Sequence, residues 1–514
     1  MAQARPNIIW LVAEDQSPDF FPMYGDSTIS LPFIESLSSD AVVFTNAFSP
    51  VPVCAPARSA IITGMYPTTL GTHNMRTYNA YSTDNQPDIG IPSYSPLVPD
   101  GVKMFTEYLR KEGYYCTNNA KEDYNFKAPE SGWDESSKDA HWRNRPKDAP
   151  FFSVFNFNVC HESGIWKQGE EELYVSPDSV RVPPYFPDTD VIRHDIAVNY
   201  SNLKRLDEQI GKIINQLKED GLYDNSIIFF YGDHGGPFPR HKRALYDTGI
   251  KVPLIIKFQD NLKNSNYDDR LLSFIDFAPT ILSWAGIAPP KVMQGKAQFG
   301  VHKDSTKSDY IFASSDRFDE MYDKLRAVRS KNYKYIRNYN IEISNALAVK
   351  YREQMPMMQN MMTLKASGKL DSIPSLWFRT PKPDEELYDL QMDPYELVNL
   401  SDQITYQDTL LHLRRALDSW IEETNDRGRI PEKELIARWL PNGKQPKLKP
   451  LQMEEDDNKI NLISEVYDAT IIWKKPGDKN WHIYSESLDN KVSFIAKAVR
   501  IGYEDSDELL YSID

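Results

Sequence analysis

The chain has 514 residues, 40% hydrophobic and 26% charged, the composition of a globular protein, and at roughly 150 residues per unit it is long enough for about three domains. No apolar run approaches the ~20 residues that a bilayer span needs, so no membrane span is expected. The net charge of −15 argues against nucleic acid or an anionic membrane as a partner, and any anionic substrate has to be held by a few locally placed Lys, Arg and His side chains.

Met1-Ala2-Gln3-Ala4 reads as an initiator set before the Ala-x-Ala remnant of a signal-peptide cleavage site, so a periplasmic or secreted location is expected. Residues 8–12 form a continuous apolar run, and residues 151–157, 227–231 and 252–256 form three more. Such runs are expected of central parallel strands covered on both faces. Between the second and third, Ile196, Tyr200, Leu203, Leu206, Ile210, Ile213 and Leu217 recur at three- and four-residue spacing and stop at Gly221, which predicts a crossover helix. From about residue 314 the strands shorten, and a closing helix is expected near residues 406–423. Residues 430–457, rich in Pro, Lys, Glu and Asp, read as a surface linker. Residues 459–513 alternate apolar and polar positions between the turn signals Pro476-Gly477 and Asp489-Asn490, as a small β-sandwich would. The expected class is α/β, a large, mixed, mostly parallel sheet flanked by helices, with a smaller α+β subdomain and a terminal β module. The expected division is 5–313, 314–429, 430–458 and 459–514. Three cysteines, Cys54, Cys116 and Cys160, are too few for a disulfide framework.

Two of the apolar runs end in polar clusters, Glu14-Asp15 and Asp233-His234-Gly235-Gly236. In an open parallel sheet ligands gather at the carboxyl ends of strands, so three carboxylates and an imidazole could surround one cation. Oxygen donors favour calcium or magnesium over zinc, and the histidine leaves that choice open. Either pair alone is better explained as a solvated strand end. Cys54, however, follows the proline-stiffened Ser49-Pro50-Val51-Pro52-Val53 and precedes a helix start at Ser59-Ala60-Ile61-Ile62-Thr63-Gly64. There the macrodipole favours an anionic nucleophile, whereas a free cysteine is more often a small buried hydrophobe.

Cys54-x-Pro56-x-Arg58 followed by Ser-Ala-Ile-Ile-Thr-Gly resembles the signature of the type I, formylglycine-dependent sulfatases of the alkaline phosphatase superfamily. Residues 5–15 resemble that family's first strand and metal pair, and Gly232-Asp233-His234-Gly235 its second pair. Residues 274–282 resemble its structural helix, and Glu386-Leu387-Tyr388-Asp389-Leu390 its second-domain hallmark, so the resemblance covers about residues 5–423. It implies an alkaline-phosphatase-like sheet, Cys54 oxidised to formylglycine by a separate formylglycine-generating enzyme, and calcium held by Glu14, Asp15, Asp233, His234 and the modified Cys54. Glu14 departs from the family's usual Asp. Arg58 would hold the formylglycine hydroxyl, Lys121 and Lys242 the sulfate, and His161 would protonate the leaving group. The family's Lys-x-His reads Lys121-Glu122-Asp123 here, and either His73 or Asp123 is expected to take over the missing proton-handling role.

Arg76, Arg317 beside Asp316, and Trp377-Phe378-Arg379 are candidates for sugar and neighbouring-anion contacts, with ordinary interface packing as the alternative. Trp473 and Trp481 read as structural more than glycan-binding. The chain resembles bacterial sulfatases of sulfated polysaccharides, whether an algal one such as ulvan or carrageenan or a glycosaminoglycan. The competing readings are a phosphate or phosphonate monoester hydrolase of the same superfamily and a catalytically silent binder of sulfated glycans.

Overall fold

The computed structural model describes residues 5–78, 90–259 and 266–513; Met1 to Ala4, on which the leader reading rests, lie outside them. The strand Asn7–Ala13 sits at the centre of the main sheet, paired in parallel with Phe151–Phe157 on one side and Ser226–Gly232 on the other. Tyr115–Asn119 extends the first side in parallel. Each of these strands is buried over nearly its whole length, which is why they read as unbroken apolar runs.

Their register decides where chemistry can gather. Ala13 lies opposite both Phe157 and Gly232, so three strands end level. The ladder then runs one step further through Glu14 N–H to Phe157 O at 3.2 Å and Asp233 N–H to Ala13 O at 3.0 Å.

The fourth apolar run, Lys251–Lys257, pairs antiparallel with Ser226–Gly232, where a parallel strand was expected. Parallel neighbours need a crossover of a dozen or more residues, usually a helix over the sheet face. The link from Asp233 to Ile250 holds only the four-residue helix Asp247–Ile250, so the chain turns back at the carboxyl edge. An apolar run has no direction of its own, and this one could not be read from composition. Val42–Phe48 pairs antiparallel with that reversed strand and so again points its carboxyl end toward the same edge.

The crossover helix is Asp190–Glu219, capped by Thr189, whose side chain accepts from Ile192 N–H. Its buried stripe includes Ile196, Leu203, Leu206 and Ile210, each contributing roughly 2 kcal/mol by removal from water. A second, antiparallel sheet joins Ile311–Phe318, Met321–Arg329, Tyr333–Asn338 and Glu385–Asp389, and the helix Gln407–Glu423 packs its Leu410, Leu413, Leu417 and Trp420 with Val328 and Tyr335 of that sheet.

Residues 430–458 carry more structure than a linker. The helix Glu432–Trp439 buries Leu435, Ile436 and Trp439 with Tyr94. Gln452–Asp456 is already an edge strand of the last module. There two small antiparallel sheets enclose Ile460, Leu462, Leu488, Phe494, Ala496 and Ala498.

Candidate active site

Cys54 is the first residue of the helix Cys54–Thr63, five residues earlier than its expected start. Every residue of that helix is buried, with Ala55, Ala57 and Ala60 letting it press into the interior. It stops at Gly64, whose φ of 70° is the left-handed conformation and whose N–H closes on Ala60 O. Arg58 lies one turn beyond Cys54, on the same face.

Arg58 fastens the two acidic strand ends together. Its Nε and Nη2 reach Asp233 Oδ2 at 3.2 and 3.1 Å, its Nη2 lies 3.5 Å from Glu14 Oε1, and its Nη1 donates to Asn156 Oδ1 at 2.6 Å. Asp15 N–H donates to Asp233 Oδ1 at 3.1 Å, and Asp15 itself adopts a φ of 52°, a conformation that Asp tolerates better than most residues and that is common where a site imposes it. His234 Nε2 lies 2.9 Å from Asp15 Oδ1 and 3.6 Å from Cys54 Sγ.

Two lysines complete the ring. Lys242 Nζ bridges both oxygens of Asp15 at 2.9 and 2.8 Å and lies 3.3 Å from Glu162 Oε1. Lys121 Nζ meets Glu14 Oε1 at 2.5 Å, with Asp123 Oδ2 at 3.6 Å. Potential ligating atoms of Asp15, Cys54 and His161 all lie within 4.8 Å of one another, and so do those of Cys54, Asp233 and His234. The expected convergence of Glu14, Asp15, Cys54, Arg58, Lys121, His161, Asp233, His234 and Lys242 is therefore present.

The electrostatics follow from this crowding. Burial pushes the Cys54 thiol up, but Lys242, Lys121 and hydrogen bonds to His161 and His234 together pull it down to about 6. Burial likewise pushes His234 down, while Asp233 and Asp15 lift it to about 10. Asp15 is held well below the usual carboxylate range despite its burial, chiefly by Lys242 and His234. Burial also opposes the charge on Arg58, Lys121 and Lys242, yet the carboxylates around them raise all three.

Of the residues expected to touch substrate, Arg76 and Asp123 stand at the rim. Both adopt positive φ, 59° and 53°, and the Arg76 side chain remains 31% exposed. His73 and Arg317 require correction. His73 is buried where Asp316, Asp426 and Arg326 meet, and burial pushes its imidazole down. Arg317 uses every guanidinium nitrogen internally, Nε and Nη2 on Glu432 at 2.7 and 2.8 Å, and Nη1 on the carbonyls of Met75 and Asp319. Both lie in the packing between the catalytic unit, the second sheet and the helix Glu432–Trp439. Trp377 and Phe378 are core residues as well.

Five residues around the site were not read from the sequence. Asn156 orients Arg58 from the Phe151–Phe157 strand. Glu162 binds Arg243 through both oxygens at 2.8 and 2.9 Å, and Asp319 takes Arg243 Nε at 2.8 Å. Tyr351 lies with its ring centroid 6.2 Å from that of His161. Adjacency to His161 and Lys242 was the available signal for Glu162 and Arg243; nothing local marked Asp319 or Tyr351.

A buried ring of lysines, arginine and carboxylates thus surrounds a helix-start nucleophile at the carboxyl edge of a mixed sheet, an arrangement suited to binding an anionic group and stabilising charge that develops on it. The family model described as Sulfatase matches residues 6–135 and 105–287, and that described as N-sulphoglucosamine sulphohydrolase, C-terminal, matches residues 232–370. An ulvan-active sulfatase of Formosa agariphila is 42% identical, over 99% of this chain and 91% of its own length. A chain solved in complex with its substrate D-glucosamine-2-N,6-O-disulfate superposes with a TM-score of 0.60 at 15% identity, covering 84% of this chain and 100% of that one. A phosphonate monoester hydrolase from Silicibacter pomeroyi gives a TM-score of 0.53 at 17% identity, over 83% and 97%. The chain belongs to the sulfatase family and is a sulfuric ester hydrolase.

Proposed function

We propose that this enzyme removes sulfate from a sulfated carbohydrate, an algal polysaccharide of the kind the Formosa agariphila relative is named for, using formylglycine formed from Cys54 and a bound calcium ion. The observation that carries the reading is the convergence of Arg58, Lys121, Lys242 and His161 on Cys54. A silent glycan binder has no need of four such groups around one buried atom.

The donor set fits a hard cation. Asp15 and Asp233 bring oxygen donors and His234 a nitrogen close to Cys54, Glu14 is buried on the Arg58 that also holds Asp233, and carboxylates gathered in one dry site favour a divalent ion between them. Calcium, held by Glu14, Asp15, Asp233, His234 and the residue at position 54, would polarise a sulfate oxygen, and formylglycine would supply a nucleophilic hydroxyl there.

The protein's own residues do the rest. Arg58 keeps Glu14 and Asp233 in place and orients the hydroxyl of residue 54. Lys121 and Lys242 bind the non-bridging sulfate oxygens and stabilise charge that builds as the ester bond breaks. His161 Nδ1 lies 3.0 Å from Ser163 Oγ, which fixes the ring so that Nε2 serves as the proton donor to the departing sugar oxygen. His73 is buried in interdomain packing, whereas Asp123, half-buried with its Oδ2 3.6 Å from Lys121 Nζ, is placed to take up the proton when sulfate is released.

Intact-mass analysis of position 54, combined with paired rates on the sulfate, phosphate and phosphonate esters of one alcohol, tests this reading. It predicts formylglycine and a preference for sulfate. A preference for the phosphonate would favour the second fold relative, and no turnover by converted enzyme would favour a binding protein.

A further inference from the structure

Residues 339–384 leave the second sheet between Tyr333–Asn338 and Glu385–Asp389 and return to the catalytic unit. The helix Pro356–Ala366 in this excursion buries Met357, Met358 and Met361 in the same core as the crossover helix, and Asp195 Oδ2 accepts from Met357 N–H at 2.7 Å. Just before that helix, Tyr351 stands beside the reaction centre. Its ring lies next to His161, 5.3 Å from the Trp166 ring in an edge contact, and the Arg76 guanidinium sits 5.8 Å above it.

Both neighbours of Tyr351 are pinned. Lys350 N–H donates to Glu320 Oε1 at 2.8 Å. Arg352 is fully buried, 4.9 Å over the Trp377 ring, and donates to Leu347 O. Tyr351, Trp166 and Arg76 are nonetheless each only partly buried, and the Tyr351 ring joins the other two to His161. Arg76 shares Asp319 with Arg243, the two contacts being 3.2 and 2.8 Å, and among the described residues its two terminal nitrogens have no hydrogen-bond partner.

We infer that Tyr351, Trp166 and Arg76 form the subsite for the leaving sugar, the rings lying against its C–H face and Arg76 binding a second anionic substituent, a carboxylate or another sulfate. The inference rests on the sulfated-carbohydrate reading above. If His161 protonates the departing oxygen, the sugar attached to that oxygen has to leave along His161, and Tyr351 is the ring on that path. A flat aromatic surface suits a pyranose face, and a guanidinium whose carboxylate partner is divided retains charge for an incoming anion.

Steady-state kinetics on three substrates tests it: a neutral sugar monosulfate, the same sulfate linked to a uronate, and the same sugar carrying a second sulfate. Tyr351→Ala is expected to raise KM roughly tenfold on all three with little change in kcat. Arg76→Gln is expected to lower kcat/KM about ten- to a hundredfold more on one charged substrate than on the neutral one, and Arg76→Lys to recover part of that difference. Whether the uronate or the disulfate shows the effect identifies the anion. Intact mass at position 54 and an unchanged thermal transition show that the variants fold and mature, and Tyr351→Leu replaces Tyr351→Ala if the latter does not. An Arg76→Gln loss equal on all three substrates, or a KM for Tyr351→Ala within about twofold of wild type, overturns the subsite alone. Failure of formylglycine-bearing wild type to turn over any of the three overturns the function reading and the subsite with it.

Discussion

Arg58 is the residue on which the largest number of separate facts meet. It is 6% exposed and ties Glu14, Asp233 and Asn156, residues of three strand ends, to the helix that begins at Cys54. Its removal leaves a buried carboxylate without its cation, which typically costs about 3–5 kcal/mol, and also removes an oriented donor worth about a hundredfold in rate. Arg58→Ala is therefore expected to lower the thermal transition by several degrees and to abolish measurable turnover. Arg58→Lys should restore most of the stability and little of the activity, because one ammonium cannot reproduce the two-nitrogen grip on Asp233; equal recovery of both would count against this role. The same cluster predicts the effect of chelation. On the proposed calcium site, the ion stabilises the folded state by binding it, so chelation should lower both activity and the melting temperature, and added calcium should restore both. A melting temperature indifferent to chelator and calcium would argue against the ion site.

At the scale of elements, the helix Glu432–Trp439 is worth more than its surface position suggests. Glu432 grips Arg317 with two oxygens and accepts from Tyr94 Oη at 2.8 Å. Arg317 in turn accepts at its carbonyl from Met75 N–H and donates to the Met75 carbonyl, which sets the strand of chain leading into Arg76. Glu432→Gln should cost about 3 kcal/mol, the penalty of breaking a buried pair, and should raise KM through displacement of Arg76 while formylglycine formation stays normal. Urea unfolding and KM measured on one preparation check both parts. Leu203→Ala in the crossover helix should cost about 2–5 kcal/mol with kcat unaffected once folded protein is compared, which separates the sheet's support from the site's chemistry.

These elements also show what could be read in advance. The central strands, the crossover helix and the helix Gln407–Glu423 declare themselves because each buries a periodic or continuous apolar face. The metal-type pairs and Cys54-x-Pro-x-Arg were legible because the carboxyl edge of a sheet is a place fixed by local residues. The direction of Lys251–Lys257 was not, since pairing direction depends on the length and path of the connection. The roles of His73 and Arg317 were not either: a polar residue near a motif and a polar residue locked between domains have the same local sequence. Tyr351 was invisible for the opposite reason, reaching the site from a segment with no motif of its own.

For the whole molecule, acidity should reveal which buried groups stay neutral. His241 is stacked against Phe186 and Phe20, accepts from or donates to Tyr185 Oη at 3.0 Å, and is pushed down to about 3 by burial and then by Arg240. Its folded-state value lies below the ordinary 6.5, so the unfolded chain takes the proton first as pH falls, and the stability it contributes is lost progressively from about 6.5 toward 3. Asp276 and Asp323 act in the opposite sense. Burial holds both up at about 6, so the stability they contribute is present at low pH and is lost as pH rises through that value. The two trends partly cancel in the wild type. The difference in melting temperature between wild type and His241→Gln isolates the first, and it should shrink as pH is lowered from 6.5 to 4; a constant difference would contradict the assignment.

The most direct test of the account is sulfate release from a sulfated oligosaccharide by calcium-loaded enzyme whose position 54 has been verified by intact mass, set beside Cys54→Ala prepared in the same way. The formylglycine form should turn over catalytically and the variant should not. Sulfate release by Cys54→Ala at a comparable rate, or its absence from fully converted wild type, would contradict it.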